Sequence, residues 1–275
     1  MLNDPLRIAA IQMVSTADYY KNRSVAIAQI IQAAKSGANM VVLPEYFCFM
    51  GMQEKDKYEF VEQHKKGELQ ALLSEVARAQ QIWIVAGTHP IASEDSSRPF
   101  GRCYVFNEKG EVVTWYDKIH LFDVTVGDSR GNYCESAMTK AGKKVICFDT
   151  PWGKVGLAVC YDLRFPELFR QQAEAGCEIF ILPAAFTYKT GEKHWQVLIQ
   201  ARAIENLCYL VASAQGGTHQ NGRETWGHSC VVDPWGKILT ELPLGDGIVY
   251  AKLDRDAQLE LRKTFPVLAH RQLSC

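Results

Sequence analysis

Short apolar runs alternate with amphipathic stretches along nearly the whole chain. An apolar run bounded by turn residues reads as a buried strand, and apolar positions recurring every three or four residues read as a helix. This pattern predicts strands over 6–13, 40–43 and 82–86, with helices over 20–36 and 68–80 between them. In the first helix Val25, Ala28, Ile31 and Ala34 make the expected apolar face, and Gly37 stops it. Runs at 103–106 and 112–116 flank Glu108-Lys109-Gly110 and predict a hairpin. Strands over 145–148 and 155–159 flank Pro151-Trp152-Gly153. Helices near 166–175 and 192–205 then alternate with strands over 178–182 and 207–213. Strands over 229–232 and 248–253 and a helix over 254–263 complete the series. Such alternation implies an α/β layered domain. No Gly/Ser/Pro-rich linker or block of like charge interrupts it, so residues 1–275 are expected to form one domain.

Charge narrows the partners. Thirty basic against thirty-one acidic residues give a net charge of −1, which leaves no nucleic-acid footprint and no polybasic membrane patch. No apolar run approaches the ~20 residues needed to span a bilayer. Residues 1–7 lack a basic region leading into an apolar core, so a cytoplasmic location is expected. Nine cysteines without a CxxC pair speak for reduced thiols rather than a zinc ribbon or redox dithiol. With no visible metal-ligand cluster or phosphate-cradling glycine loop, no metal and no cofactor are expected.

Candidate chemistry sits at the ends of three apolar runs: Leu43-Pro44-Glu45, Trp115-Tyr116-Asp117-Lys118 and Val159-Cys160-Tyr161-Asp162. The run before Cys160 is followed by Phe165-Pro166-Glu167, a helix start with proline at its first position. Strand, tight turn and helix N-terminus would hold the sulfur in a sharp elbow whose orphan N–H groups can face an oxyanion. Most free cysteines are inert core residues, and only this context singles out Cys160 among nine. A thiol is only a few per cent thiolate at neutral pH and needs a base. Glu45, placed among apolar and aromatic neighbours, can take the thiol proton and return it to a leaving amine. The Lys118 ammonium can stabilise oxygen charge in a tetrahedral intermediate. Read singly, Glu45 and Lys118 would be ordinary loop residues.

Together these residues resemble the Glu-Lys-Cys triad of the nitrilase, or carbon–nitrogen hydrolase, superfamily. The likeness runs from Arg7-Ile8-Ala9-Ala10-Ile11-Gln12 to Asp233-Pro234-Trp235-Gly236 and includes Lys118-Ile119-His120-Leu121-Phe122. It implies a four-layer αββα sandwich, commonly built into homodimers, with Glu45 as base, Cys160 as nucleophile, and Lys118 and the Tyr161 N–H around the oxyanion. A second glutamate that orients substrate or water maps to Glu135, on a weaker loop match. Around Pro183-Ala184-Ala185, Phe186, Thr187 and Thr190 are assigned to the pocket wall, with Phe186 equally readable as core.

Local stretches at 214–219 and 221–228 are similar to the deaminated glutathione amidase branch. That likeness implies a small amide substrate bearing carboxylates, with Arg164, Arg130, Lys189 and Arg223 as candidate cationic partners. Arg164 could equally pair with Glu167 or Asp162. An omega-amidase acting on 2-oxoglutaramate is the nearest alternative, followed by nitrilases and N-carbamoyl amidohydrolases. Two other classes stay open: a Cys–His hydrolase using His194 or His228, and a non-catalytic binding protein.

Overall fold

The computed structural model describes residues 5–128 and 131–273. The first half of the chain runs β1 (Arg7–Gln12), α1 (Tyr19–Lys35), β2 (Met40–Leu43), α2 (Glu68–Gln80), β3 (Trp83–Ala86), β4 (His89–Ile91), β5 (Phe100–Phe106) and β6 (Val112–Asp117). Two short strands, β7 (Asp123–Thr125) and β8 (Asn132–Cys134), pair with each other. There follow β9 (Cys147–Thr150), β10 (Gly153–Leu157), α3 (Pro166–Glu174), β11 (Ile179–Ala184), α4 (Tyr188–Asn206) and β12 (Tyr209–Ala214). The rest comprises β13 (Gly216–Thr218), β14 (Glu224–Trp226), β15 (Ser229–Val232), β16 (Ile238–Leu242), β17 (Gly247–Lys252) and α5 (Arg255–Thr264).

Two sheets carry the fold. One has the order β17-β1-β2-β3-β5-β4 with β6 on β5, and the other the order β16-β15-β12-β11-β10-β9. At the centre of each, β1, β2 and β3 and then β10, β11 and β12 run parallel. Because successive strand residues face opposite ways, each sheet packs on both sides. Ile8, Ala10, Met40 and Val42 join Leu157, Ile181 and Val211 in a core between the sheets, while Ala9, Ile11, Val41 and Leu43 pack with Ala26, Ile30, Leu69 and Leu73 of α1 and α2. Leu168, Phe169, Trp195 and Ile199 of α3 and α4 cover the second sheet. Helix, sheet, sheet, helix is the four-layer αββα sandwich that the resemblance implied.

Several local expectations need correction. The buried face of α1 is Tyr19, Asn22, Ala26, Ile30 and Ala33, not Val25, Ala28, Ile31 and Ala34. A polar residue lies inside that stripe: Asn22 donates to the Thr16 and Cys48 carbonyls at 2.7 and 3.2 Å, so hydrophobicity alone misplaces the face. Helix α4 begins at Tyr188, four residues before the expected start. Strands β4 and β16 were not anticipated, being short or only half-buried. After β10 the chain forms a single 3-10 turn over Cys160–Arg164 before α3 starts at Pro166. The N–H groups beside the sulfur belong to that turn, as the sequence implied. Gly156 makes the junction possible, since a Cβ there would lie 2.6 Å from the Gln172 Oε1 of α3.

Candidate active site

Glu45, Lys118, Glu135 and Cys160 come together on one cavity of about 310 Å³. Glu45 lies two residues past β2, where Gly87 closes beneath it. A Cβ on Gly87 would stand 2.0 Å from the Pro44 carbonyl oxygen, and its φ of +40° favours glycine. Gln215, just past β12 in the other sheet, donates to the Glu45 carbonyl at 2.9 Å and to Ser15 Oγ at 2.8 Å. Lys118 follows β6 directly. Cys160 takes a left-handed φ of +48°, and Tyr46, beside Glu45, one of +57°. Non-glycine residues rarely adopt this conformation, and such strain collects where side chains must be aimed.

The charges are packed tightly. The buried Lys118 Nζ donates to Glu45 Oε1 at 2.8 Å and to Glu135 Oε2 and Oε1 at 2.8 and 3.1 Å. Burial alone would push this ammonium down, but Glu135 and Glu45 outweigh it and hold its pKa well above the lysine norm. Glu135 also accepts the Phe122 N–H at 2.7 Å. Burial raises its carboxyl above the usual range despite Lys118, with Glu45 pushing the same way. The Cys160 thiol is raised by burial and then by the Glu45 carboxylate, with Lys118 only partly opposing. It is therefore a thiol at neutral pH. Glu45 Oε2 is buried without a hydrogen-bond partner, leaving one oxygen open to a proton. Removing the Lys118 ammonium would leave two buried carboxylates facing each other, so this lysine supports the fold as well.

Asp162 joins the segments that carry Lys118 and Cys160. Fully buried, its Oδ2 accepts the Val159 N–H at 2.8 Å and the Tyr116 hydroxyl at 2.7 Å. Its Oδ1 accepts the His120 N–H at 3.0 Å and lies 2.6 Å from His120 Nδ1. Tyr116 and His120 flank Lys118 at two residues on either side. One carboxylate thus sets the ammonium-bearing segment against the sulfur-bearing turn.

The carbon–nitrogen hydrolase family model matches residues 7–263. The chain belongs to the carbon–nitrogen hydrolase family. It is 38% identical over 266 residues to the deaminated glutathione amidase of Yersinia enterocolitica, covering 96% of this chain and 92% of that protein. It is 35% identical over 266 residues to an omega-amidase of Mus musculus, covering 97% and 95%. A crystal structure from Saccharomyces cerevisiae, of a member of branch 10 of the nitrilase superfamily, superposes with a TM-score of 0.86 at 30% identity, covering 98% of this chain and 97% of that one.

Around the hydrolase cavity the remaining expectations divide. Tyr161, Phe186, Thr187, Thr190 and Arg223 line it. Phe186 serves both readings, packing on Trp195 at 4.9 Å between ring centres while facing the cavity. The Thr187 and Thr190 hydroxyls lie 2.8 Å apart. Arg223 is buried, donates from Nη2 to the Ala185 carbonyl at 2.7 Å, and keeps Nε without a partner. Arg164 is not on the cavity lining. It pairs with neither Glu167 nor Asp162; its Nη1 lies 3.1 Å from His194 Nδ1 and its guanidinium covers the Phe186 ring. Lys189 lies outside too, donating to the Gly127 carbonyl at 2.6 Å and lining a neighbouring pocket of about 190 Å³ with Asp128, Tyr133, Tyr188 and Glu224. Arg130 falls outside the described residues. His194 and His228 are engaged elsewhere, His228 with Glu241 at 2.6 Å, and neither lines the cavity. The Cys–His reading loses its support there.

Tyr46, Glu54, Phe122, Asn132 and Tyr133 also line the cavity and were not foreseen, nor was Asp162. The adjacency of Asp162 to Cys160 was the one available signal. Among the described residues no group of three or more His, Cys, Asp and Glu is placed to hold a metal ion, and no helix is long and apolar enough to cross a membrane.

Proposed function

We propose that this chain, acting as one unit over residues 1–275, hydrolyses a carboxamide through a Cys160 thioester, with deaminated glutathione as substrate. The observation that supports the chemistry is the meeting of Glu45, Lys118 and Cys160 on one cavity. Glu45 removes the thiol proton as sulfur attacks the amide carbon. Lys118 and the Tyr161 N–H, which has no intrahelical partner at the first turn, hold the oxyanion. The same proton passes to the leaving amine as the C–N bond breaks. Glu45 then takes a proton from water as that water attacks the thioester carbon, and returns it to the Cys160 sulfur as the C–S bond breaks, with Glu135 keeping Lys118 charged and placed.

The substrate assignment rests on the relatives' names and on shape. Arg223 offers a buried cation with a spare N–H to a substrate carboxylate. Past Tyr133 a second pocket begins, giving room for a Cys-Gly leaving group beyond the acyl site. The smaller 2-oxoglutaramate would leave that second pocket unused, yet the omega-amidase likeness makes it the competing substrate. Assembly as a homodimer fits the exposed Val197 and Ile204 of α4 with Trp235 and Phe265 nearby, and a cytoplasmic location completes the reading. In the decisive experiment, kcat/KM on deaminated glutathione exceeds that on 2-oxoglutaramate, and Cys160→Ser abolishes both activities and the acyl-enzyme mass adduct. Equal or better efficiency on the smaller amide would overturn the substrate; turnover by Cys160→Ser would overturn the mechanism.

A further inference from the structure

Away from the catalytic cavity, two of the nine cysteines meet. Cys147 opens β9, the last strand of the second sheet, and Cys177 lies between α3 and β11. Their Sγ atoms stand 3.0 Å apart, and both are free thiols. Cys147 is partly exposed and Cys177 fully buried. We infer that Cys147 and Cys177 form an oxidation site, a thiol pair that a hydroperoxide converts into an intramolecular disulfide.

The placement suits the two roles such a reaction needs. The attacking sulfur must reach the oxidant, and Cys147 is the one with access to solvent. The resolving sulfur must be close and need no access, and Cys177 fits. A disulfide requires about 2.05 Å between sulfurs, so the pair must close by only about 1 Å. Among the described residues no strand pairs with β9 on its outer side, so the adjustment breaks no sheet ladder there. Cys177, as hydrogen-bond donor, and then Lys154 draw the Cys147 pKa below the ordinary thiol value despite partial burial, which favours the nucleophilic thiolate. Cys208 is poorly placed to compete, because its S–H is directed at the Cys177 and Asn206 carbonyls at 3.3 Å each.

The chemistry balances with a hydroperoxide as oxidant. The Cys147 thiolate attacks the peroxide oxygen; the O–O bond breaks, an alcohol or water leaves, and sulfur becomes a sulfenic acid. Cys177, losing its proton, attacks that sulfur; the S–O bond breaks and water leaves as the S–S bond forms. Two thiols are oxidised by two electrons and one peroxide is reduced. The bond would span thirty positions and enclose β10, the Cys160 turn and α3, clipping the nucleophile-bearing segment at both ends without entering the cavity.

The test treats the full chain with hydrogen peroxide and maps its cysteines by mass spectrometry without reduction. We expect a product lighter by two hydrogens, a linked peptide pair carrying Cys147 and Cys177, and its disappearance with dithiothreitol. In Cys177→Ser, Cys147 should instead be trapped as the sulfenic acid by a dimedone probe. Three results on the wild-type chain would overturn the inference: Cys147 oxidised to the sulfinic acid beside an intact Cys177 thiol, linkage to a different cysteine, or an unreacted Cys147 under conditions that oxidise the exposed Cys134. None of these depends on Cys160 being the nucleophile.

Discussion

Where Lys118 stands between Glu45 and Glu135, the chemical floor of the cavity, every contact lies within 3.1 Å and only Glu45 Oε2 is left over, whereas on the wall contrasted with it here as the rim Arg223 keeps a buried Nε with no partner. The floor spends its polar capacity on itself. Its cost is the desolvation of three ionisable groups, and under the proposed mechanism its return is that the base and the oxyanion donor stand ready without reorganisation. Arg223 differs in kind: its Nη2 is held by the Ala185 carbonyl while its Nε has no protein partner, which is why the proposed function gives it to a substrate carboxylate. Arg164 and Lys189, nearby in sequence or space, spend their donors on His194 and Gly127 and so resemble scaffold. A cation's usefulness to substrate follows from what it lacks, not from its proximity.

Three measurements sharpen this contrast. The largest effect belongs to the floor. In Asp162→Asn an acceptor becomes a donor, and either the Val159–Tyr116 pair or the His120 pair of hydrogen bonds is lost. Misplacing Lys118 against Cys160 should lower kcat by about 10–100-fold with KM nearly unchanged; a rise in KM alone would show that Asp162 serves binding instead. Arg223→Gln should act at the rim, raising KM for a carboxylate-bearing amide by about 10–100-fold with a lesser change in kcat. Arg164→Gln should change KM little, and if it matched Arg223→Gln the division between spare donor and scaffold would fail.

A last measurement reads stability instead of rate and concerns how Arg223 is supported. His219 is buried with Nδ1 2.8 Å from the Ser15 carbonyl and Nε2 2.8 Å from Thr225 Oγ1, and its backbone pairs with Arg223. Burial lowers its pKa from 6.5 to about 4. The unfolded chain therefore binds the proton first, and the contribution is whole above pH 6.5 and lost as pH falls toward 4. Urea midpoints should drop over that interval by the equivalent of roughly 3 kcal/mol at most, and His219→Gln should flatten the slope. An unchanged slope in the variant would place the acid sensitivity elsewhere.

The αββα order and the three residues that meet on the cavity were legible because strand runs and their terminal residues are local signals. Leu43-Pro44-Glu45 marks a strand end whatever lies around it. The helical face of α1 was misread for a related reason: Asn22 is buried by partners at Thr16 and Cys48, which no periodicity reports. Glu135 was uncertain on a loop match, and the structure brings its carboxylate to Lys118. Tyr46, Glu54 and Asn132 reach the cavity from a turn, the first residue of the 3-10 helix Glu54–Phe60 and a three-residue strand, where hydrophobic patterning carries little information.

Side-chain chemistry and strand placement are written in the chain order, so a carboxylate, an ammonium and a thiol could be picked out before any folding was considered. Which arginine keeps a spare donor, how Asp162 sets the lysine segment against the sulfur turn, and which two of nine thiols touch depend on residues tens of positions apart. Distances and hydrogen-bond satisfaction of that kind exist only once two sheets have packed, because packing decides which polar groups lose water and which find each other.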